Sequence, residues 1–236
     1  SPYFLGTNYT PPAGSEQGKA SGTSTAALLE QVGTGRLLTP EQLDRRITVL
    51  TGYPWLNEET GKSKLLDDFR LYYGGIDFDT SLGRIEEMTG IMANISQRMA
   101  NEVACEAVPY DFTVPVEERM LFPYVEWDYA PTEKHGFRVP EMVEAMKQNV
   151  LYLHERLLGQ SITLESEEFI RTYELFLDVM EKGQNLIQND LASPKLPFDC
   201  RATMNLTTGE ELVGKNRMVN DADYTLRAWM AVISYM

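Results

Sequence analysis

The chain is poor in the residues from which most catalytic centres are built. It has two histidines, His135 and His154, and two cysteines, Cys105 and Cys200, among 236 residues. Neither histidine has a glutamate three positions before it, so the Glu-x-x-His pairs of a ferritin-like di-iron site are missing. "LHERLL" opens like a zinc-protease helix, but Leu158 stands where the second ligand belongs. No Cys-x-x-Cys-His occurs, which excludes covalent c-type haem on this chain, and no G-x-S-x-G elbow presents a hydrolase serine. "TGKS", Thr60 to Ser63, ends like a phosphate loop. Leu56 occupies the position of the required first glycine, so the stretch reads as a surface turn. Basic residues are also scarce: 21 Lys and Arg face 35 Asp and Glu, for a net charge of -14. Binding a phosphate backbone needs clustered cations, so nucleic acid is not expected as a partner. No hydrophobic run is long enough to cross a bilayer.

The rest of the composition is that of a globular protein, with 43% hydrophobic and 24% charged residues. Residues 1–35 read as an extended arm or linker, because "NYTPPAGSEQGKASGTSTAA" is rich in Gly, Pro, Ser and Thr and has no apolar period. Residues 36–236 read as one mostly α domain, an irregular multi-helix body with long ordered loops. The clearest helix start is "LLTPEQLDRRITVL": Thr39 and Gln42 form a capping box, Pro40 takes the first helical position and Gly52 ends the helix. "KLLDDFRLYYGG" predicts a second helix, with Gly74-Gly75 as its stop. A long one follows from about Met88 to Val108, with Ile91, Met92, Ile95, Met99 and Val103 as its inner stripe. "VPVEERMLFPYV" predicts a short helix between Pro115 and Pro123. Pro140 opens a helix to Leu158, capped by Gly159. The next helix starts at the N-cap Ser166 and stops at Gly183, and a final one follows "NDAD". Between them the chain is loop-like, with one hairpin turning at Thr208-Gly209.

Carboxylates and tyrosines supply most of the remaining material for a site. Asp77 and Asp79, with Ser81, place oxygens at alternate positions as a calcium loop does. Leu82 and Met88 hold the sixth and twelfth positions, so this is no EF-hand; a turn or cap is the competing reading. "NDAD" reads as an N-cap, and His154 as a packed, hydrogen-bonded histidine at the core edge. Tyr72, Tyr73, Tyr124, Trp127 and Tyr129 are candidates for a recognition surface, or for rings that pin loops to the core. Cys105 and Cys200 either form one disulfide in an oxidising compartment or remain two buried thiols. The opening "SPYFLG" fits a processed or trimmed N-terminus and leans the same way, towards export.

Taken together, "RLLTPEQLDRRITVLTGYPW", "RLYYGGIDFDT", "MANEVACEAV", "LYLHERLLGQ" and "DADYTLRAWMAVISYM" resemble haem-free helical domains of exported bacterial proteins that are encoded alongside, or fused to, planctomycete-type cytochrome modules. The likeness spreads over residues 35–236. It implies a periplasmic or cell-surface address and a redox-linked neighbourhood, but carries over no functional residue. The function expected is a non-catalytic accessory subunit that docks a protein partner, a basic cytochrome or a larger envelope complex. The alternative is a carboxylate-based enzyme or calcium-binding domain acting on a small ligand, with calcium at Asp77 and Asp79. No other cofactor is expected.

Overall fold

The computed structural model describes residues 37–57, 59–76, 87–130, 140–205 and 208–236. Six α-helices occur among them: α1 (Pro40–Thr51), α2 (Lys64–Asp67), α3 (Gly90–Asp111), α4 (Pro140–Leu153), α5 (Glu167–Gln188) and α6 (Thr225–Tyr235). No β-sheet forms among the described residues; pairing there is limited to isolated antiparallel bridges such as Ala202 with Met218 and Met204 with Glu211. The mostly helical class expected from the sequence is the class observed. The arm expected over residues 1–35 lies outside the described residues.

Local signals place several helix ends correctly. Thr39 accepts from the Gln42 amide at 3.1 Å while the Gln42 side chain accepts from the Thr39 amide at 3.0 Å. Gly52 closes α1 in the left-handed region at φ 74°, a conformation that costs a residue without Cβ little. α4 runs on into a π-helical turn, His154–Leu158, and stops at Gly159 with φ 65°. The turn at Gly209 (φ 71°) joins Met204 to Glu211, as the predicted hairpin requires.

Other expectations are corrected. The second helix is one turn long, because the chain from Asp68 to Gly74 folds as successive turns in which Tyr73 is driven into the core. α3 continues past Pro109 to Asp111. Ile91, expected on its inner stripe, is 56% exposed: 100° of rotation per residue puts it beside the buried row of Met92, Ile95, Met99 and Val103. "VPVEERMLFPYV" holds only a 3₁₀ turn, Val116–Glu118, since the amides of residues 120–122 bond to the Asp111 carboxylate instead of to a helix. Ser166 stands at the N-cap of α5, but its hydroxyl accepts from the Thr163 amide at 2.9 Å and leaves the helix N–H groups alone.

Gly183 is the most informative correction. It does not stop α5, which continues to Gln188. A Cβ at this position would lie 2.1 Å from the ring of Tyr224, so the glycine is there for close approach. Tyr224 itself has φ 60° and carries the Arg227 guanidinium over its ring at 4.4 Å. The turn into α6 is therefore seated on a gap in α5.

The core centres on α6, which packs against both α3 and α5. Trp229 is fully buried, with ring centroids 4.5 Å from Phe176 of α5 and 5.2 Å from Phe122. Cys105 of α3 and Cys200 of the 3₁₀ turn Phe198–Cys200 form a disulfide, with Cα atoms 4.7 Å apart and a sequence separation of 95. It fastens the long connection between α5 and α6 to the core.

Two tests follow from this packing. Gly183→Ala should cost about 1–3 kcal/mol in urea unfolding, because the Tyr224 ring has to move. Replacing both cysteines with serine should lower stability by about 2–5 kcal/mol, the range for a cross-link closing a loop of this size. The loss should appear as an earlier denaturation midpoint, and dithiothreitol should reproduce it in the wild type.

Candidate functional site

The buried carboxylates are occupied by backbone. Asp111, at the end of α3, accepts from the amides of Met120, Leu121 and Phe122 at 2.7, 3.0 and 2.9 Å. Asp221 accepts from Leu226 and Arg227 at 3.0 and 3.2 Å, which caps the first turn of α6 as the reading of "NDAD" predicted. Burial raises the pKa of both, against the pull of these amides. Arg227 adds an ion pair to Asp221 at 3.4 Å and bonds the carbonyls of Ser193 and Lys195. These acids hold loops and helix ends; the bonds they accept leave them poorly placed for proton transfer.

Glu102 is a second polar hub, one that the sequence did not reveal. It receives the Trp55 indole N–H at 2.9 Å, Lys64 at 2.7 Å and Arg98 at 2.6 Å. Burial pushes its carboxyl up, but the bonds from Lys64, Arg98 and Trp55 outweigh that and hold it below the ordinary range. One turn on, Glu106 accepts from the Tyr53 hydroxyl. Together they fix Tyr53, Trp55 and Lys64 against α3, and Trp55 stacks on Phe69 at 5.6 Å.

His154 lies in the π-helical turn, 2% exposed, with Nε2 at 2.9 Å from the Thr172 hydroxyl. That hydroxyl donates to the Glu168 carbonyl, so it accepts from the imidazole, and the proton belongs on Nε2. Nδ1 is buried without a partner. Burial lowers the pKa and favours the neutral ring. This is the packed, hydrogen-bonded histidine that was expected.

The expected interaction residues separate into two groups. Tyr72 and Tyr124 are exposed, at 62% and 53%. Tyr73 is buried, and burial raises its pKa, while Trp127 and Tyr129 pack on the core and the Trp127 carbonyl accepts from Thr225 at 2.6 Å. Those three rings hold loops to the core, the competing reading of these residues. Asp77 and Asp79, the candidate calcium ligands, lie outside the described residues, as does His135. Among the described residues no group of three or more His, Cys, Asp or Glu is placed to hold a metal ion.

Two concavities stand out among the described residues. One is an apolar cavity of about 190 Å³ bounded by α1, α3, the π-helical turn and the end of α6, with Arg46 among its lining residues. The other is an open groove floored in part by the disulfide and lined by Glu102, Leu175, Met230 and Tyr235. Next to Cys200, Phe198 is 81% exposed, and Arg201 lies over its ring at 5.7 Å. Sequence reasoning passed over Phe198; the signal was an aromatic set between Pro197 and Cys200, a ring on a tethered turn. No helix among the described residues is long and apolar enough to cross a membrane. No family model matches the chain, and no curated protein or solved structure is significantly similar to it.

The His154 environment gives a pH test. The unfolded chain takes up a proton near pH 6.5, before the buried ring does, so this contribution is complete above that pH and is lost as pH falls below it. His154→Gln should therefore be less stable than wild type at pH 8, and the gap should narrow towards pH 5. The slope of the difference should not exceed about 1.4 kcal/mol per pH unit, as read from urea melts.

Proposed function

We propose that this chain is a non-catalytic accessory subunit of an exported protein assembly, working at the periplasmic or cell-surface side of a membrane. The observation that carries this reading is the turn Phe198–Cys200. It displays a large aromatic ring to solvent while its own cysteine is bonded into the core. An exposed aromatic on a rigid, covalently anchored support loses little conformational entropy on docking, which favours its use as an anchor. The connection that carries it also exposes Leu191 and Val213, at 75% and 76%. The adjoining groove adds apolar walls from Leu175 and Met230 and the carboxylate of Glu102.

The disulfide supports the compartment, because such bonds persist where the surroundings are oxidising. The net charge of -14 supports a partner with a basic contact face, which an acidic surface draws in at long range. A periplasmic cytochrome of basic charge fits that description and agrees with the neighbourhood implied by the sequence resemblance. The buried acids add to the case for a scaffold, since Asp111 and Asp221 serve the backbone.

The doubly substituted Phe198→Ser, Val213→Ser protein, which removes the apolar anchors without changing the charge, tests the reading. Both side chains are solvent-exposed, so the fold and the disulfide should survive. The wild type, cross-linked in its native cells, should yield one recurrent basic partner, and the variant should bind that purified partner at least tenfold more weakly. Equal binding by the two proteins would refute the reading, as would a wild type that yields no recurrent partner.

A further inference from the structure

The apolar cavity has a wall chemistry of its own. At about 190 Å³ it is somewhat larger than the cavity of roughly 150 Å³ that accepts a benzene ring. Leu43, Ile47, Met99, Val103, Leu157 and Met236 make most of its surface. Hydroxyls also reach it, and two of them are turned to backbone carbonyls. Thr51 donates to the Ile47 carbonyl at 2.8 Å, and Ser234 to the Ala100 carbonyl at 3.4 Å. Tyr73 and Ser96 complete the polar part of the lining.

Arg46 is different. It is the one charged residue on the lining, it lies on the exposed side of α1, and it makes no hydrogen bond or ion pair among the described residues. An exposed arginine on the lining of an aliphatic cavity can offer a planar fork of donors to an anion whose remainder is apolar. The negative charge of the whole chain does not cancel this, because fields from distant carboxylates are screened beyond about 8 Å at physiological ionic strength.

We propose that the cavity binds a free short-chain carboxylate, with its headgroup on Arg46 and its aliphatic tail inside. A cavity of roughly 150 Å³ holds the six carbons of benzene, so about 190 Å³ takes a tail of about seven. A protonated amine is repelled by the same guanidinium. An alcohol gains the burial of the tail without the ion pair. The inference does not rest on a protein partner at the Phe198 face, since the cavity is lined by other residues.

Methyl NMR of the methionines tests it directly, because Met99 and Met236 line the cavity. Butanoate, hexanoate, octanoate and decanoate are titrated in turn. Affinity should rise by up to about fourfold per added methylene, then level off once the tail reaches about seven carbons. Octanoate should bind about two- to fivefold more tightly than octan-1-ol, the contribution of a solvent-exposed ion pair. Arg46→Gln should remove that preference and leave octan-1-ol binding unchanged. Ala100→Phe, which fills the cavity, should abolish the binding of both. The proposal is overturned by an absence of saturable shifts at Met99 and Met236, by an affinity that keeps rising through decanoate, or by a headgroup preference that survives in Arg46→Gln. Should Ala100→Phe fail to fold, the chain-length series and Arg46→Gln decide the matter without it.

Discussion

Trp229 meets Phe176 at 4.5 Å and Phe122 at 5.2 Å, so one indole joins three stretches of chain that are far apart in sequence. α6 can be buried on two sides only while this contact holds, and both α3 and α5 are positioned by packing on α6. Aromatic pairs of this kind add about 0.5–1.5 kcal/mol each beyond the apolar area they remove from water. Part of that gain is offset, because the Trp229 indole N–H is buried without a hydrogen-bond partner.

Around that hub the loops are tied down by a few polar groups and one covalent bond. Asp111 gathers three amides of the segment that supplies Phe122, and Arg119 reinforces it through the carbonyls of Val114 and Val125. Asp221 and Arg227 secure the entry to α6, and the Cys105–Cys200 bond anchors the connection before it. The consequence is irregular backbone held by specific bonds. Such backbone presents side chains at fixed angles, as Phe198 shows, and leaves a cavity where α1 and the π-helical turn do not fully close on α3 and α6.

The carboxylates illustrate how charge count and charge use can differ. An acidic chain invites the idea of a carboxylate site, yet the buried acids Asp111 and Asp221 accept from backbone amides and Glu102 from three side-chain donors. What the geometry leaves open is of the opposite kind: an arginine beside an aliphatic cavity, and a phenylalanine held out from an oxidised turn. Both carry the recognition roles proposed above.

Features encoded within a few residues were legible before the structure. The capping box of Thr39 and Gln42, the left-handed stops at Gly52 and Gly159, the cap at Asp221 and the turn at Gly209 all depend on backbone groups three to six positions away, so local chemistry settles them. The mostly helical class followed from the same periodic patterns. Features that depend on distant partners were not legible. Gly183 has the composition of a stop signal, and only the Tyr224 ring lying against it makes it a packing gap. Tyr72 and Tyr73 are neighbours of one type, yet one is exposed and the other buried on Ser96, because the turn that separates them is set by the core. The pairing of Cys105 with Cys200, and the placing of Arg46 at a cavity formed by four separate elements, required the chain to close on itself, since spacing along a sequence carries no distance through space.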